Sequence, residues 1–227
     1  MIPKNLHYVV LGDSISPLCK ECMKSWSKYF DDDWRQFKWT DEEIEFLDIP
    51  YVNNARQQGK FAFVSDVVRF YALHKYGGIY LDLDVEIISS FNGLLDNAGF
   101  IASESIGKFV PNAAIIGLEV GHPLAKDVLD FYYGQRGDVF YTIPYILKEL
   151  FKKKKYDICV LPPESFYPYN PFDKYRKISQ LMFNDIKKDT YAIHHWNQSW
   201  IEDEHATLLK RLGIKIRRYF LDSFHVN

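Results

Sequence analysis

The chain has 227 residues, 47% hydrophobic and 26% charged, an ordinary balance for one folded domain with a substantial core. A formal charge of -2 and a sequence pI near 6.4 give no global basic field, which disfavours nucleic acid as a partner. No stretch approaches the roughly 18 apolar residues of a membrane span, and MIPKNLHYVVLGDS lacks the features of a signal peptide, so the sequence reads as cytoplasmic.

Asn5 to Leu11 reads as a buried first strand carrying His7 as a satisfied core histidine. An amphipathic helix follows, with Ser16 as N-cap and Pro17 at its first position, running to about Tyr29. Cys19 and Cys22 lie one turn apart on it. No second pair completes a zinc site, and with Cys159 the cysteines are odd in number and match no disulfide framework. Arg35 to Trp39 alternates like a second strand, and Thr40 to Glu43 resembles a capping box opening another helix. The order strand, helix, strand, helix predicts an α/β fold with a parallel sheet.

Lys60 to Tyr76 is the clearest helix, apolar almost all round and closed by Gly77-Gly78, where a left-handed cap needs glycine. Asp66 and Arg69 interrupt it, three residues apart on one face. Further strands are predicted at Phe100 to Ser103, Ala113 to Gly117, Asp157 to Leu161 and Thr190 to His195. Helices are predicted at Pro123 to Tyr133 and Thr142 to Phe151, with Lys152 to Lys155 as a solvated run. The proline- and aromatic-rich segment Pro162 to Phe172 reads as a loop with fixed turns.

The chemistry concentrates in GGIYLDLDVEI. Read as one strand from Ile79 to Ile87, it sends Ile79, Leu81, Leu83, Val85 and Ile87 to one face and Tyr80, Asp82, Asp84 and Glu86 to the other. Three carboxylates in a row repel one another. A divalent cation over Asp82 and Asp84, with the diphosphate it carries, would offset that repulsion, and Mg²⁺ or Mn²⁺ suits oxygen ligands. A solvated strand face is the plainer reading, and the glycine pair and the neighbouring acid and base of the helix argue against it. Tyr, Phe and Trp make up 17% of the chain, which favours stacking surfaces for sugars or bases.

The block SDVVRFYALHKYGGIYLDLDV resembles the DXD-motif sugar transferases of glycosyltransferase family 32, related to the yeast initiating mannosyltransferase and the large clostridial glucosylating toxins. IPKNLHYVVLG and IHHWNQSW resemble the opening and late motifs of the same family, although Val9 or Val10 stands where relatives often have Trp. The resemblance implies a single GT-A domain over 1–227, with a Rossmann-like nucleotide-sugar half at about 1–120 and a mixed central sheet. Residues 121–227 would then supply the acceptor side, closing loop and C-terminal helix. By motif, Asp84 would bind Mn²⁺ or Mg²⁺ directly and Asp82 the metal or donor hydroxyls. Asp66 and Arg69 would hold the donor sugar and phosphates, and Tyr80 would pack on the nucleotide. Of His194 and His195 only one can enter the site, and the resemblance favours His195 as the metal ligand. Ser199 and Trp200 match a lid over the donor, with plain core as the rival for Trp200. Asn112 matches an asparagine facing the donor sugar, with a turn asparagine beside Pro111 as the rival.

The implied activity is a metal-dependent, retaining hexosyl transfer from a nucleotide diphosphate sugar, UDP-galactose or UDP-glucose ahead of GDP-mannose. The expected acceptor is a saccharide, free or lipid-linked, in bacterial surface or capsular polysaccharide synthesis, with loops 138–142 and 162–172 lining its site. Lys215, Arg217 and Arg218 would offer a peripheral contact with the inner membrane surface. The rival readings are a metal-dependent phosphohydrolase and an inactive sugar-binding or scaffolding module of the same fold.

Overall fold

The structure, a computed structural model, describes residues 1–12, 15–105, 107–173 and 175–197. Met1–Trp196 form one unit and Asn197–Asn227 a second, and the fold belongs to the first. Ser199, Trp200 and the basic tail lie outside the described residues.

Strand β1 (Asn5–Val9) leads into helix α1 (Pro17–Trp26), and Ser16 caps that helix by accepting the Cys19 amide at 3.2 Å. Cys19 and Cys22 are both buried, and neither forms a disulfide. After β2 (Arg35–Trp39), the Glu43 carboxylate does accept from the Thr40 amide at 2.9 Å. The predicted helix nevertheless stops as turns over 41–46, and helix α2 (Pro50–Gln57) starts afresh at the proline.

Helix α3 (Phe61–Tyr76) ends on Gly77 at φ +59°, and Gly78 at φ +120° opens β3 (Gly78–Leu81). A Cβ on Gly78 would lie 2.3 Å from the Asn5 carbonyl oxygen, so glycine lets β1 and β3 meet here. β4 (Val85–Ile87), β5 (Gly99–Ser103), β6 (Pro111–Leu118), α4 (Pro123–Tyr133), α5 (Ile143–Lys153), β7 (Cys159–Leu161) and β8 (Ala192–His194) complete the order.

The main sheet runs β2-β1-β3-β6-β5-β7, with β4 and β8 in a separate two-stranded sheet. β2, β1 and β3 are parallel, whereas β6 is antiparallel to both β3 and β5. The sheet is therefore mixed, not wholly parallel. Alternation along β3 divides the core: Tyr80 points into the layer formed with α3, α4 and α5, while Ile79 and Leu81 join Trp26, Phe30, Phe100 and Phe166 on the other face.

The nine-residue strand expected from Ile79 to Ile87 is broken. The Asp82 amide donates to Ala114 O at 2.8 Å as the last rung on β6, and Val85 N then donates back to Asp82 O at 3.2 Å. Beyond this turn the chain leaves the main sheet. Trp26 Nε1 donates to Val85 O at 2.8 Å and Ile87 N to Ser25 Oγ at 2.8 Å, which draws β4 onto α1.

Candidate active site

The turn answers the repulsion raised by the sequence. Asp82, Asp84 and Glu86 do not form one row, because the break after Leu81 separates their directions. Glu86 faces away and accepts from His195 Nε2 at 2.8 Å. Asp82 and Asp84 instead converge with His194, so that one donor atom from each lies within 4.8 Å of the other two. His194 Nε2 stands 3.3 Å from Asp84 Oδ1.

This reverses the expectation between the two histidines. In the register of β4 with β8, Val85 faces His194 and Glu86 faces Ile193, so consecutive residues of β8 take opposite sides. His194 is turned inward, and its ring packs 4.4 Å from that of Trp196. His195 follows on the Glu86 side. Trp196 turns the chain with φ +56° and donates its Nε1 proton to Tyr169 O at 2.9 Å.

Arg69 sits behind Asp82. Its guanidinium gives Nη1 to Ala113 O at 2.8 Å and Nη2 to Asp82 Oδ1 at 2.7 Å, with Asp66 Oδ1 at 3.3 Å. Tyr80 donates its hydroxyl to the same Asp82 oxygen at 3.0 Å, and the Arg69 cation lies 4.4 Å from the centre of its ring. The two fix the Asp82 carboxylate from behind. Tyr80 is 2% exposed, so it positions Asp82 and gives no platform for a nucleotide. Arg69, 5% exposed, gives both terminal nitrogens to protein partners, while its Nε is buried without a partner among the described residues.

The electrostatics follow from the packing. Burial raises Asp66 to about 7, with Arg69 opposing and Asp82 adding to the shift. Asp82 is also raised, first by burial, while Arg69 pulls it down and Asp84 pushes it up. Burial works against the charge on Arg69, and Asp82, Tyr80 and Asp66 more than offset it, so its pKa rises. For His194 burial favours the neutral ring, yet the nearby Asp84 carries the pKa above its ordinary value. Each acid gains from positive charge placed beside it.

Two carboxylates and one imidazole, drawn together from the turn and β8, fit a divalent cation that prefers oxygen with some nitrogen, such as Mn²⁺ or Mg²⁺. Asn112 belongs elsewhere: its amide nitrogen donates to Glu104 Oε1 at 2.6 Å and its oxygen accepts from Ala114 N at 2.7 Å. His7 is the core histidine expected. Its Nε2 bonds Gly77 O at 2.9 Å, Trp39 Nε1 donates to its Nδ1 at 3.3 Å, and burial lowers its pKa to about 4. Sequence reasoning did not find Trp26, Tyr167 or Glu104, whose parts depend on contacts across the fold.

Residues 16–101 match the model of the glycosyltransferase sugar-binding region containing DXD motif. The matched segment contains the helix with Asp66 and Arg69, the glycine pair and both aspartates of the turn. Over that segment the chain is similar to a DXD sugar-binding region.

Among similar proteins, lactosylceramide 4-alpha-galactosyltransferase of Mus musculus is 32% identical over 152 residues, covering 60% of this chain and 41% of its own length. Inositol phosphoceramide mannosyltransferase 3 of Schizosaccharomyces pombe is 26% identical over 185 residues, covering 72% and 51%. The chain thus spans about two fifths to one half of these relatives. The solved PaToxG glycosyltransferase superposes with a TM-score of 0.55 at 17% identity, covering 67% of this chain and 70% of that one. Apo GlyE of Streptococcus pneumoniae TIGR4 gives 0.54 at 12%, covering 99% and 63%. These likenesses concern the fold, which is GT-A, and the segment matched to the DXD model includes its β3–β4 turn.

Proposed function

We propose that this chain is a metal-dependent hexosyltransferase that uses a nucleotide diphosphate sugar and a saccharide acceptor. The observation that carries the reading is the convergence of Asp82, Asp84 and His194 at the turn, with Arg69 and Tyr80 behind Asp82. Asp84 and His194 would hold the cation with Asp82. When bound, the cation would neutralise charge growing on the leaving diphosphate. Arg69 and Tyr80 hold the carboxylate of Asp82 in place through a guanidinium and a phenol, and both oppose the upward shift that burial imposes on it. Asp66, at the edge of the same cluster with a side chain 15% exposed, is the group positioned to accept a donor-sugar hydroxyl.

A galactosyl- and a mannosyltransferase among the relatives support a hexose, with UDP-galactose or UDP-glucose ahead of GDP-mannose. Both names include a ceramide lipid, which supports an acceptor carried on lipid. Retention of anomeric configuration and a bacterial surface-polysaccharide setting rest on the sequence resemblance alone. The test incubates the protein with UDP- and GDP-sugars and Mn²⁺ or chelator, and measures release of nucleoside diphosphate. Metal-dependent release from one donor, lost in Asp84→Ala, supports the reading. Release of inorganic phosphate instead would support the phosphohydrolase, and no donor binding by calorimetry the inactive module.

A further inference from the structure

Beside the carboxylate turn lies a second feature that the donor reading does not use. A cavity of about 270 Å³ is lined by Glu104, Tyr167, Tyr169, Asn170, Asp173 and Arg176 among others. It adjoins the metal-ligand cluster through Tyr167, whose ring meets that of His194 edge-on at 5.8 Å and whose hydroxyl donates to Asn112 O at 3.2 Å. Asn112 in turn holds the Glu104 carboxylate at 2.6 Å. The cavity is therefore one side chain away from the cluster.

Its chemistry is selective. The volume falls below the roughly 300–1,000 Å³ of sites for drug-sized ligands and suits one sugar ring. Tyrosines provide flat apolar faces with polar tips, the character that suits a pyranose. Two carboxylates, Glu104 and Asp173, line it. Among the described lining residues the one cation is Arg176, and its terminal nitrogens are taken by Asp185, at 3.1 Å for Nη1, and by Gln180 O, at 2.7 Å for Nη2. The Arg176 Nε is buried without a partner among the described residues, which leaves one donor to give. Such a lining offers hydrogen bonds to hydroxyls, and with Arg176 charge-paired to Asp185 the carboxylates Glu104 and Asp173 disfavour an anionic ligand.

Resting on the transferase reading above, we propose that this cavity seats the terminal ring of the acceptor as a neutral saccharide, with Glu104 accepting its hydroxyls and excluding anionic sugars. Glu104 is thus a specificity-determining residue on the acceptor side, and Tyr167 separates its ring from the donor's metal site.

The test measures acceptor KM and kcat at pH 8, above the value near 7 to which burial pushes Glu104, for wild type, Glu104→Gln and Glu104→Leu. The probes are methyl galactoside, glucoside and mannoside, with methyl glucuronide as the anion. A neutral glycoside should saturate the wild type, and the glucuronide KM should be higher by roughly tenfold or more. Glu104→Leu should raise the neutral KM by roughly tenfold with a smaller change in kcat. Glu104→Gln keeps an oxygen for Asn112, preserving the local packing, and should narrow the penalty on glucuronide. Neutral KM values unchanged in both variants, or wild-type preference for glucuronide, overturn the proposal. Failure of the transferase reading looks different, because then no sugar nucleotide is cleaved by wild type. In that event saturation-transfer NMR with the same glycosides reads the cavity directly. Binding to wild type that is lost in Glu104→Leu supports it, and binding absent from wild type or retained in the variant overturns it.

Discussion

Replacing Asp66 by Asn isolates the cost of burying a carboxylate in this cluster. Burial raises Asp66 from 3.8 to about 7, with Arg69 opposing and Asp82 adding. An acid whose folded pKa lies above its unfolded value binds extra protons when folded, so stability falls as pH climbs between the two values. At about 1.36 kcal/mol per unit, the interval from 3.8 to about 7 corresponds to about 4 kcal/mol, lost by the wild type between roughly pH 4 and pH 8. Asn does not titrate. The stability of Asp66→Asn minus that of the wild type should therefore rise by about 4 kcal/mol over that interval, the variant gaining at the alkaline end. Urea unfolding followed by circular dichroism at pH steps, in chelator so that no cation offsets Asp82, gives both curves. A difference that is flat with pH, or that falls as pH rises, would refute the burial argument. Activity should move the other way, since the variant loses the carboxylate proposed to meet the donor sugar.

Three further substitutions probe the frame of the site. Arg69→Met removes the cation shared by Asp82 and Asp66 and should cost about 3–5 kcal/mol at pH 8, measured by urea unfolding, with the loss shrinking as the pH is lowered and the two acids protonate. Gly78→Ala places a methyl 2.3 Å from the Asn5 carbonyl oxygen at φ +120°, and should lower the melting temperature more than any exposed Gly→Ala change, such as Gly93→Ala, where nothing lies within 4 Å. Trp26→Phe removes the hydrogen bond to Val85 O that draws β4 onto α1, and should cost about 1–2 kcal/mol in the same unfolding assay.

The parts of this molecule legible in sequence were those set by local rules. Ser16 and Pro17 announce α1, and Gly77 and Gly78 announce the end of α3, because a cap and a positive φ demand particular residues. Asp66 and Arg69 share a face by helical spacing alone. The course of the chain after Leu81 was not legible, because alternation from Ile79 to Ile87 is perfect on paper. What breaks it is tertiary: the indole of Trp26 and the hydroxyl of Ser25 capture β4, fifty-nine and sixty-two residues away in sequence. The same break decides between the histidines, since the partner of β8 begins at Val85 and leaves Glu86 to His195. Tyr80 was misplaced for a related reason. The resemblance put it against the nucleotide, whereas the structure buries it and brings Arg69 of α3 onto its ring. The cavity beside Glu104 assembles residues from β5 and from the segment between β7 and β8, a proximity that no local pattern encodes.

The most direct test of the central claim is a Mn²⁺ titration followed by electron paramagnetic resonance, comparing wild type with His194→Ala and His195→Ala. The geometry predicts binding by wild type and by His195→Ala with similar affinity, and affinity weaker by roughly 10–100-fold in His194→Ala. Loss in His195→Ala with His194→Ala unaffected, or no Mn²⁺ bound by the wild type, would contradict the account of the turn as a metal site.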